Sequence, residues 1–137
     1  MIVLTGWEER KFLDKILVGD DCWEWTASTN GIGYGQIRLR GRNVYAHRLS
    51  YELFVGEIPS GLDLDHLCRN PGCVRPNHLE PVTHQENLLR GDTIVARSAA
   101  VTHCPKGHAY DEANTYIGKK GWRKCRTCRR DGMRRTR

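Results

Sequence analysis

The sequence predicts an α+β fold with an N-terminal helix and sheet, a strand–strand–helix core and a small Cys- and His-rich unit. Three observations support this fold class. The N-terminal half alternates amphipathic helical patterns with short strand patterns, the Cys and His clusters lie mainly in the second half, and 137 residues allow only a modest core. The predicted domain boundaries are 1–61, 62–97 and 98–137.

The N-terminal region begins with a helical pattern. Residues 7–18 place Trp7, Phe12, Ile16 and Leu17 on roughly one helical face, and Gly19 ends the pattern. Alternation and turn residues then predict a sheet and a second helix, with strands at 22–26, 34–39 and 43–46, a tight turn at 41–43 and the helix at 47–55.

The middle of the chain predicts a strand–strand–helix unit. Short strands are expected at 62–68 and 79–82, separated by a segment rich in Pro, Gly and Asn. Thr83 and Glu86 have capping-box spacing, which predicts a helix over about 84–90. Residues 91–103 are interpreted as a linker, and residues 104–137 as a separate unit ending in a basic helix.

Charge is distributed unevenly along the chain. Residues 1–89 carry 9 basic and 12 acidic side chains, a net charge of −3, whereas residues 90–137 carry 13 and 4, a net charge of +9. A basic C-terminal part indicates a polyanionic partner, most simply nucleic acid. The alternative is a solvated tail that only improves solubility.

The cysteines are expected to bind metal rather than to form disulfides. The first residues show no signal peptide, and no segment is apolar enough to cross a membrane, so we expect a cytoplasmic protein without a membrane partner. In a reducing compartment six cysteines are more typical of metal sites than of disulfide bonds.

The first predicted zinc site contains a compact triplet, Cys68, Cys73 and His78. Structural zinc is normally bound by four sulfur or nitrogen ligands, so a fourth is needed. Cys22 is assigned because no other site claims it. His84 is the competing fourth ligand, although its position also suits an ordinary residue in the first turn of a helix.

The second predicted zinc site lies in the C-terminal unit. Two ligand pairs, separated by the length of a short hairpin, have the spacing of a zinc ribbon: Cys104 with His108, and Cys125 with Cys128. Gly107 allows the backbone to turn tightly around an ion. The six cysteines thus divide evenly between two structural zinc ions.

Asp65 and His66 end a predicted strand, and Asn87 follows His66 by 21 residues. Residues 65–90, DHLCRNPGCVRPNHLEPVTHQENLLR, resemble the HNH (His-Me finger) endonucleases, especially zinc-bearing phage and intron-encoded members, and share their ligand order with the His-Cys box homing endonucleases. Weaker similarity over 20–130 includes Cys-Trp-x-Trp, Gly-Tyr-Gly and Ala-His-Arg elements. The resemblance implies a ββα-metal core and, for a phage-encoded chain, action in the bacterial cytoplasm.

The resemblance also implies roles for individual residues. His66 would be the general base, since a neutral imidazole can take a proton from water. Asn87 and Asp65 would hold a catalytic Mg²⁺ or Mn²⁺ through hard oxygen ligands. Asn77 would hold the loop beneath the base. Arg48 would contact a backbone phosphate or, equally, orient its helix through a salt bridge; the neighbouring His47 is interpreted as structural.

DNA contacts are expected in two places. Arg38, Arg40 and Arg42 cluster on the second strand and its turn, where they either enter a groove or form a solvated face. The basic stretch 119–137 supplies the other candidates, while Trp122 within it either packs the ribbon or stacks on a base. These candidates are Lys119, Lys120, Arg123, Lys124, Arg126, Arg129 and Arg130.

The sequence therefore predicts a metal-dependent DNA endonuclease that nicks DNA or cuts both strands. Two alternatives stay open: a zinc-dependent DNA-binding or packaging accessory protein without cleavage, and an RNA-cleaving enzyme, which has less support because no RNA-reading module is visible. One active site per chain suits nicking by a monomer, whereas a two-fold homodimer would cut both strands. Homing, restriction and work with the phage packaging machinery are the three biological roles left open.

Overall fold

The computed structural model describes residues 2–135 and divides the chain into two compact units, Met1–Asn87 and Leu88–Arg137. The sequence analysis separated 1–61 from 62–97, but these parts share one hydrophobic core. Val74, from the predicted zinc loop, is 1% exposed and belongs to the same buried cluster as Phe12 and Trp25. The border between the two units, after Asn87, lies close to the boundary between the acidic part of the chain (1–89) and the basic part (90–137).

Helix α1 (Gly6–Leu13) begins with a capping box formed by Thr5 and Glu8. The predicted helix over 7–18 is wrong in its second half, because strand β1 (Ile16–Val18) pairs antiparallel with strand β2 (Trp23–Trp25). Ile16 and Val18 are β-branched residues, which pack well on a pleated surface once a partner strand is available.

Strands β3 (Gln36–Leu39) and β4 (Arg42–Tyr45) form an antiparallel hairpin, followed directly by helix α2 (Ala46–Phe54). The turn is Arg40–Gly41, one residue earlier than predicted, and both residues have positive φ angles, 47° and 80°. Such a two-residue turn matches the right-handed twist of the flanking strands.

Strands β5 (Asp63–His66) and β6 (Leu79–Val82) pair antiparallel, and helix α3 (His84–Arg90) follows. A single 3₁₀ turn, Pro76–His78, precedes β6. The predicted capping box is confirmed: the Thr83 N–H donates to the Glu86 carboxylate (3.1 Å), and the Glu86 N–H donates to Thr83 Oγ1 (3.2 Å).

The core of the first unit lies between α1, the β3–β4 hairpin and α2. Phe12 and Trp25 pack with ring centroids 5.5 Å apart. Gly35 leaves room for this tryptophan, since a Cβ atom at position 35 would lie 2.6 Å from Trp25 Cδ1. The buried cluster comprises Phe12, Trp25, Ile37, Leu39, Ala46, Leu49 and Val74.

The second unit contains helix α4 (Ile94–Ala100), the antiparallel hairpin of β7 (Thr115–Ile117) and β8 (Arg123–Cys125), and helix α5 (Arg126–Arg135). The hairpin and the basic final helix agree with the sequence analysis. The predicted linker at 91–103 is wrong in part, because α4 lies within it, capped by Thr93 Oγ1 on the Ala96 N–H (3.0 Å). Among residues 2–135, no helix is long and apolar enough to span a membrane.

Candidate active site and metal centres

His66 lies at the end of β5 and is 5% exposed. Its Nε2 atom is 3.0 Å from the carbonyl oxygen of Cys73. Because a carbonyl only accepts hydrogen bonds, this contact places the proton on Nε2 and leaves the lone pair on Nδ1. Burial lowers the pKa of His66 below its usual value of 6.5, so the ring is neutral at physiological pH. The geometry therefore provides a nitrogen able to accept a proton.

His47, on α2, packs against this base with ring centroids 4.9 Å apart, and the Tyr34 ring contacts both imidazoles. His47 is 7% exposed, and its buried Nδ1 atom has no hydrogen-bond partner within residues 2–135. Burial, together with the nearby charges of His66 and Arg48, lowers the pKa of His47 to about 3. One side of the His66 ring is therefore covered by two uncharged rings, those of His47 and Tyr34.

Asn87, on α3, contacts a carboxylate that the sequence analysis did not select. The Asn87 side chain is a hydrogen-bonding neighbour that lowers the pKa of the Asp63 carboxyl, and the Asp63 carboxylate lies 2.8 Å from His84 Nδ1. The His84 bond is the main reason why the pKa of Asp63 is lowered, and the Arg48 charge acts in the same direction. His84 thus pairs with Asp63 and is absent from the group of possible zinc ligands around Cys22.

Asp65 and Asn77 occupy different surroundings. Asp65 is 3% exposed, and its Oδ1 atom lies 2.6 Å from Arg69 Nη1. Asn77 is exposed in the 3₁₀ turn. Backbone hydrogen bonds hold the loop next to the base, notably from the Leu67 N–H to the His78 carbonyl (2.8 Å).

The first Cys/His cluster unites all four predicted ligands. One ligand atom from each residue lies within 4.8 Å of the other three, and His78 Nδ1 is 3.7 Å from Cys22 Sγ and 3.6 Å from Cys73 Sγ. A tetrahedral zinc ion requires ligand–ligand distances of about 3.5 to 3.8 Å. Burial raises the pKa of the Cys73 thiol to about 12, so a thiolate at this position needs a cation. The residues Cys22, Cys68, Cys73 and His78 fit zinc.

The second cluster, Cys104, His108, Cys125 and Cys128, also brings four ligand atoms within 4.8 Å of one another. His108 Nδ1 lies 3.5 Å from the sulfur of Cys104, 3.7 Å from that of Cys125 and 3.3 Å from that of Cys128. Asn114 holds the hairpin around this cluster: its side chain donates to the Ala109 carbonyl (2.5 Å) and accepts from the Thr127 N–H (3.0 Å).

The basic candidates of the first unit differ in their surroundings. Arg40 lies in a turn rather than on a strand face, and its guanidinium donates to both carboxylate oxygens of Glu8, at 2.9 and 2.7 Å. Arg38 and Arg42 are exposed. Arg40 is therefore held by an internal ion pair, whereas its two neighbours face solvent.

The basic candidates of the second unit lie on the hairpin and on α5. Arg123 donates to the Ser98 carbonyl and lies over the Tyr110 ring. Lys119 and Lys120 precede strand β8, in the turn of the hairpin, and residues 136–137 of the predicted basic stretch lie outside the described residues. Four candidates line one cleft with Tyr116: Lys124, Arg126, Arg129 and Arg130.

Comparison with known proteins agrees with this arrangement. The family described as HNH endonuclease matches residues 44–89, from β4 to α3. Protein 7.7 of Escherichia phage T7 is 30% identical, over 76% of this chain and 98% of its own length. Protein 2.8 of the same phage is 40% identical over 56% of this chain, which spans about half of that relative (54%). No solved structure matches the chain.

The chain therefore belongs to the HNH endonuclease family. This membership makes it a metal-dependent nuclease, as the resemblance of residues 65–90 implied.

Three features of the site were missed by reasoning from the sequence. Asp63 had a detectable signal, because it alternates with Asp65 along β5 and strand residues two apart share a face. The ring contact of His47 with His66 and the role of Asn114 in the ribbon had no signal, since both depend on residues brought together by folding.

Proposed function

We propose that the chain hydrolyses phosphodiester bonds in DNA, with His66 as the general base. The observation that carries this proposal is the hydrogen bond from His66 Nε2 to the Cys73 carbonyl (3.0 Å). This bond leaves Nδ1 as the basic atom and fixes the plane of the ring. A water molecule at Nδ1 would lose its proton to the imidazole as it attacks phosphorus.

The residues at α3 fit a hard divalent cation. Asn87 would present a carboxamide oxygen from α3, and Asp65 a carboxylate from β5. These are the ligand types that Mg²⁺ and Mn²⁺ prefer. When bound, such an ion would stabilise charge on the scissile phosphate and the leaving 3′ oxygen. Arg48 is half-buried and close enough to influence both Asp63 and His47, so its guanidinium would contact the same phosphate.

The two cysteine clusters would hold structural zinc. Each supplies four sulfur or nitrogen ligands, which closes the coordination sphere and leaves no position for a substrate. Both ions would stabilise the fold. The first would link the segment before β2 to the loop that carries Cys73, and the second would link the turn from Cys104 to His108 to α5. Asn77, in the 3₁₀ turn beside His78, would hold the loop beneath His66.

DNA would be held by the second unit, whose net charge is +9. The cleft lined by Lys124, Arg126, Arg129 and Arg130 places four cations beside Tyr116. Cations arranged in this way bind backbone phosphates, which fixes position without selecting sequence. Exposed Arg38 and Arg42, and the hairpin residues Lys119 and Lys120, would add further contacts; Arg40 and Arg123 also have partners within the chain. The phage relatives support action in the host cytoplasm.

A plasmid-relaxation assay with Mg²⁺ or Mn²⁺ tests this proposal. We expect nicked or linear DNA from the wild type, and none from His66→Ala or Asn87→Ala, although both variants should keep their zinc and their affinity for DNA. Near-full activity of either variant at saturating metal would contradict the mechanism. DNA binding without cleavage by the wild type would favour an accessory protein, and cleavage of RNA alone would favour a ribonuclease.

A further inference from the structure

The structure places a further acidic side chain beside the residues assigned to the catalytic ion. Asp63 lies on β5 opposite Val82, and His84 and Asn87 lie three residues apart on α3, so these two share a helix face. Asp63 pairs with His84, and Asn87, one turn further along α3, also lowers the pKa of the Asp63 carboxyl as a hydrogen-bonding neighbour. The contact with His84 Nδ1 measures 2.8 Å.

We propose that Asp63 is a positioning residue that orients the carboxamide of Asn87 so that its oxygen faces the divalent ion. This inference rests on the metal role proposed for Asn87. A carboxamide presents an oxygen on one side and an NH₂ group on the other, and rotation by half a turn exchanges them. Only the oxygen can bind a cation, so a site built on asparagine needs a neighbour that selects one orientation.

A carboxylate makes this selection because it has no hydrogen to donate at neutral pH. Asp63 can only accept, so the Asn87 NH₂ group must face it, and the Asn87 oxygen must point away. An amide or a hydroxyl group at position 63 would select less strongly, because each can both donate and accept.

His84 completes the arrangement by holding Asp63 in place. Its Nδ1–H occupies one carboxylate oxygen, and the first turn of α3 presents it to β5. Asp65, two residues further along β5, instead forms an ion pair with Arg69. The two aspartates therefore have different tasks, although they alternate on one strand.

The test is a double-mutant cycle on metal affinity. The full-length, zinc-loaded chain carrying His66→Ala would be bound to a short DNA duplex, so that DNA stays intact, and Mn²⁺ dissociation would be followed by electron paramagnetic resonance. Asp63→Ala should weaken Mn²⁺ binding by about 10-fold to 100-fold, as removal of an outer partner of a metal ligand usually does. Asp63→Asn, which keeps an oxygen acceptor but selects less strongly, should recover part of this affinity.

The decisive comparison uses Asn87→Ala. If Asp63 acts through Asn87, Asp63→Ala should change Mn²⁺ affinity by less than about threefold in the Asn87→Ala background. An equal weakening in both backgrounds would overturn the proposal and make Asp63 an independent ligand. Unchanged affinity in Asp63→Ala would also overturn it. No effect of Asn87→Ala alone would show that the proposed metal role of Asn87 is wrong, and the inference with it.

Two further variants separate positioning from general destabilisation. Asp20→Ala removes an exposed carboxylate from the same unit and should leave Mn²⁺ affinity and the melting temperature unchanged. His84→Ala removes the group that holds Asp63, whose side chain is 42% exposed, and should weaken Mn²⁺ binding less than Asp63→Ala does. If Asp63→Ala lowers the melting temperature, the Mn²⁺ affinity of His84→Ala becomes the test. Unchanged Mn²⁺ affinity in His84→Ala would then overturn the proposal.

Discussion

Cys73 contacts His66 through its main chain and joins the first metal cluster through its side chain. Its carbonyl oxygen is 3.0 Å from His66 Nε2, and its Sγ atom is 3.6 Å from His78 Nδ1. The orientation of the proposed general base and the geometry of the proposed zinc site therefore depend on the same residue. Removal of a zinc ion from this cluster should therefore disturb the base, although the proposed mechanism gives that ion no part in the reaction.

The first prediction concerns zinc stoichiometry. Elemental analysis of the native protein should give two zinc ions per chain, with no reactive thiols, because two complete ligand sets are present. Cys73→Ser should lose one ion and unfold the first unit, since zinc binding supplies much of the folding free energy in small sites. Cys128→Ser is the matched control: it should lose the other ion and leave the first unit folded. One zinc or none in the native protein would contradict the assignment.

The second prediction concerns the pH dependence of cleavage. Burial lowers the pKa of His66 below 6.5, and only the neutral ring can accept the proton of water. The rate at saturating Mn²⁺ should therefore rise with pH and level off, with a midpoint below 6.5. Cleavage by His66→Ala should stay undetectable at every pH. A midpoint above 6.5 in the wild type would be inconsistent with a buried imidazole acting as the base.

The third prediction concerns His47. Because its pKa is lowered to about 3, the folded protein resists protonation of this ring, whereas the unfolded chain accepts the proton near pH 6.5. The unfolding free energy should thus fall with decreasing pH, by up to about 1.4 kcal/mol per pH unit for this one group. His47→Phe keeps an aromatic ring and should remove that share of the slope.

Denaturation in zinc-buffered solution between about pH 6.5 and 5.5 would measure the slope while the metal sites stay filled. The same variant should keep much of its cleavage activity, because ring packing against His66 is preserved. An unchanged slope would show that His47 is more accessible to protons than its burial indicates.

The fourth prediction concerns DNA affinity. Arg129→Gln combined with Arg130→Gln should weaken binding to all sequences alike and flatten the dependence of log affinity on log salt. Each phosphate that is no longer neutralised should reduce the slope by about 0.9. Binding titrations over a range of salt concentrations would measure this change.

A matched pair of substitutions provides the control for this prediction. Arg10→Gln with Lys106→Gln removes the same charge from positions outside the cleft and should change the slope less. Equal effects of the two pairs would indicate general attraction without a defined surface. A change in the sites that are cut would show that α5 reads sequence.

Much of the organisation follows from local sequence. The ligand spacings, the capping box at Thr83 and the alternating pattern of β5 are short-range features, so they predict the metal clusters, α3 and the strand before His66 correctly. Cys22 could be assigned over a long range only because the other five cysteines were already accounted for, and the structure confirms that it lies with Cys68, Cys73 and His78.

Tertiary structure decided what local patterns could not. Residues 16–18 fit a helical face, yet they form β1 because β2 offers them hydrogen bonds and a shared core. Residues 94–100 lack a clear amphipathic pattern, yet they form a helix capped by Thr93. The tautomer of His66, the packing of His47 and the contact between Asp63 and Asn87 join residues 7, 19 and 24 positions apart. Their hydrogen bonds and burial exist only after the strands pair, and burial together with hydrogen bonding determines which nitrogen or oxygen can react.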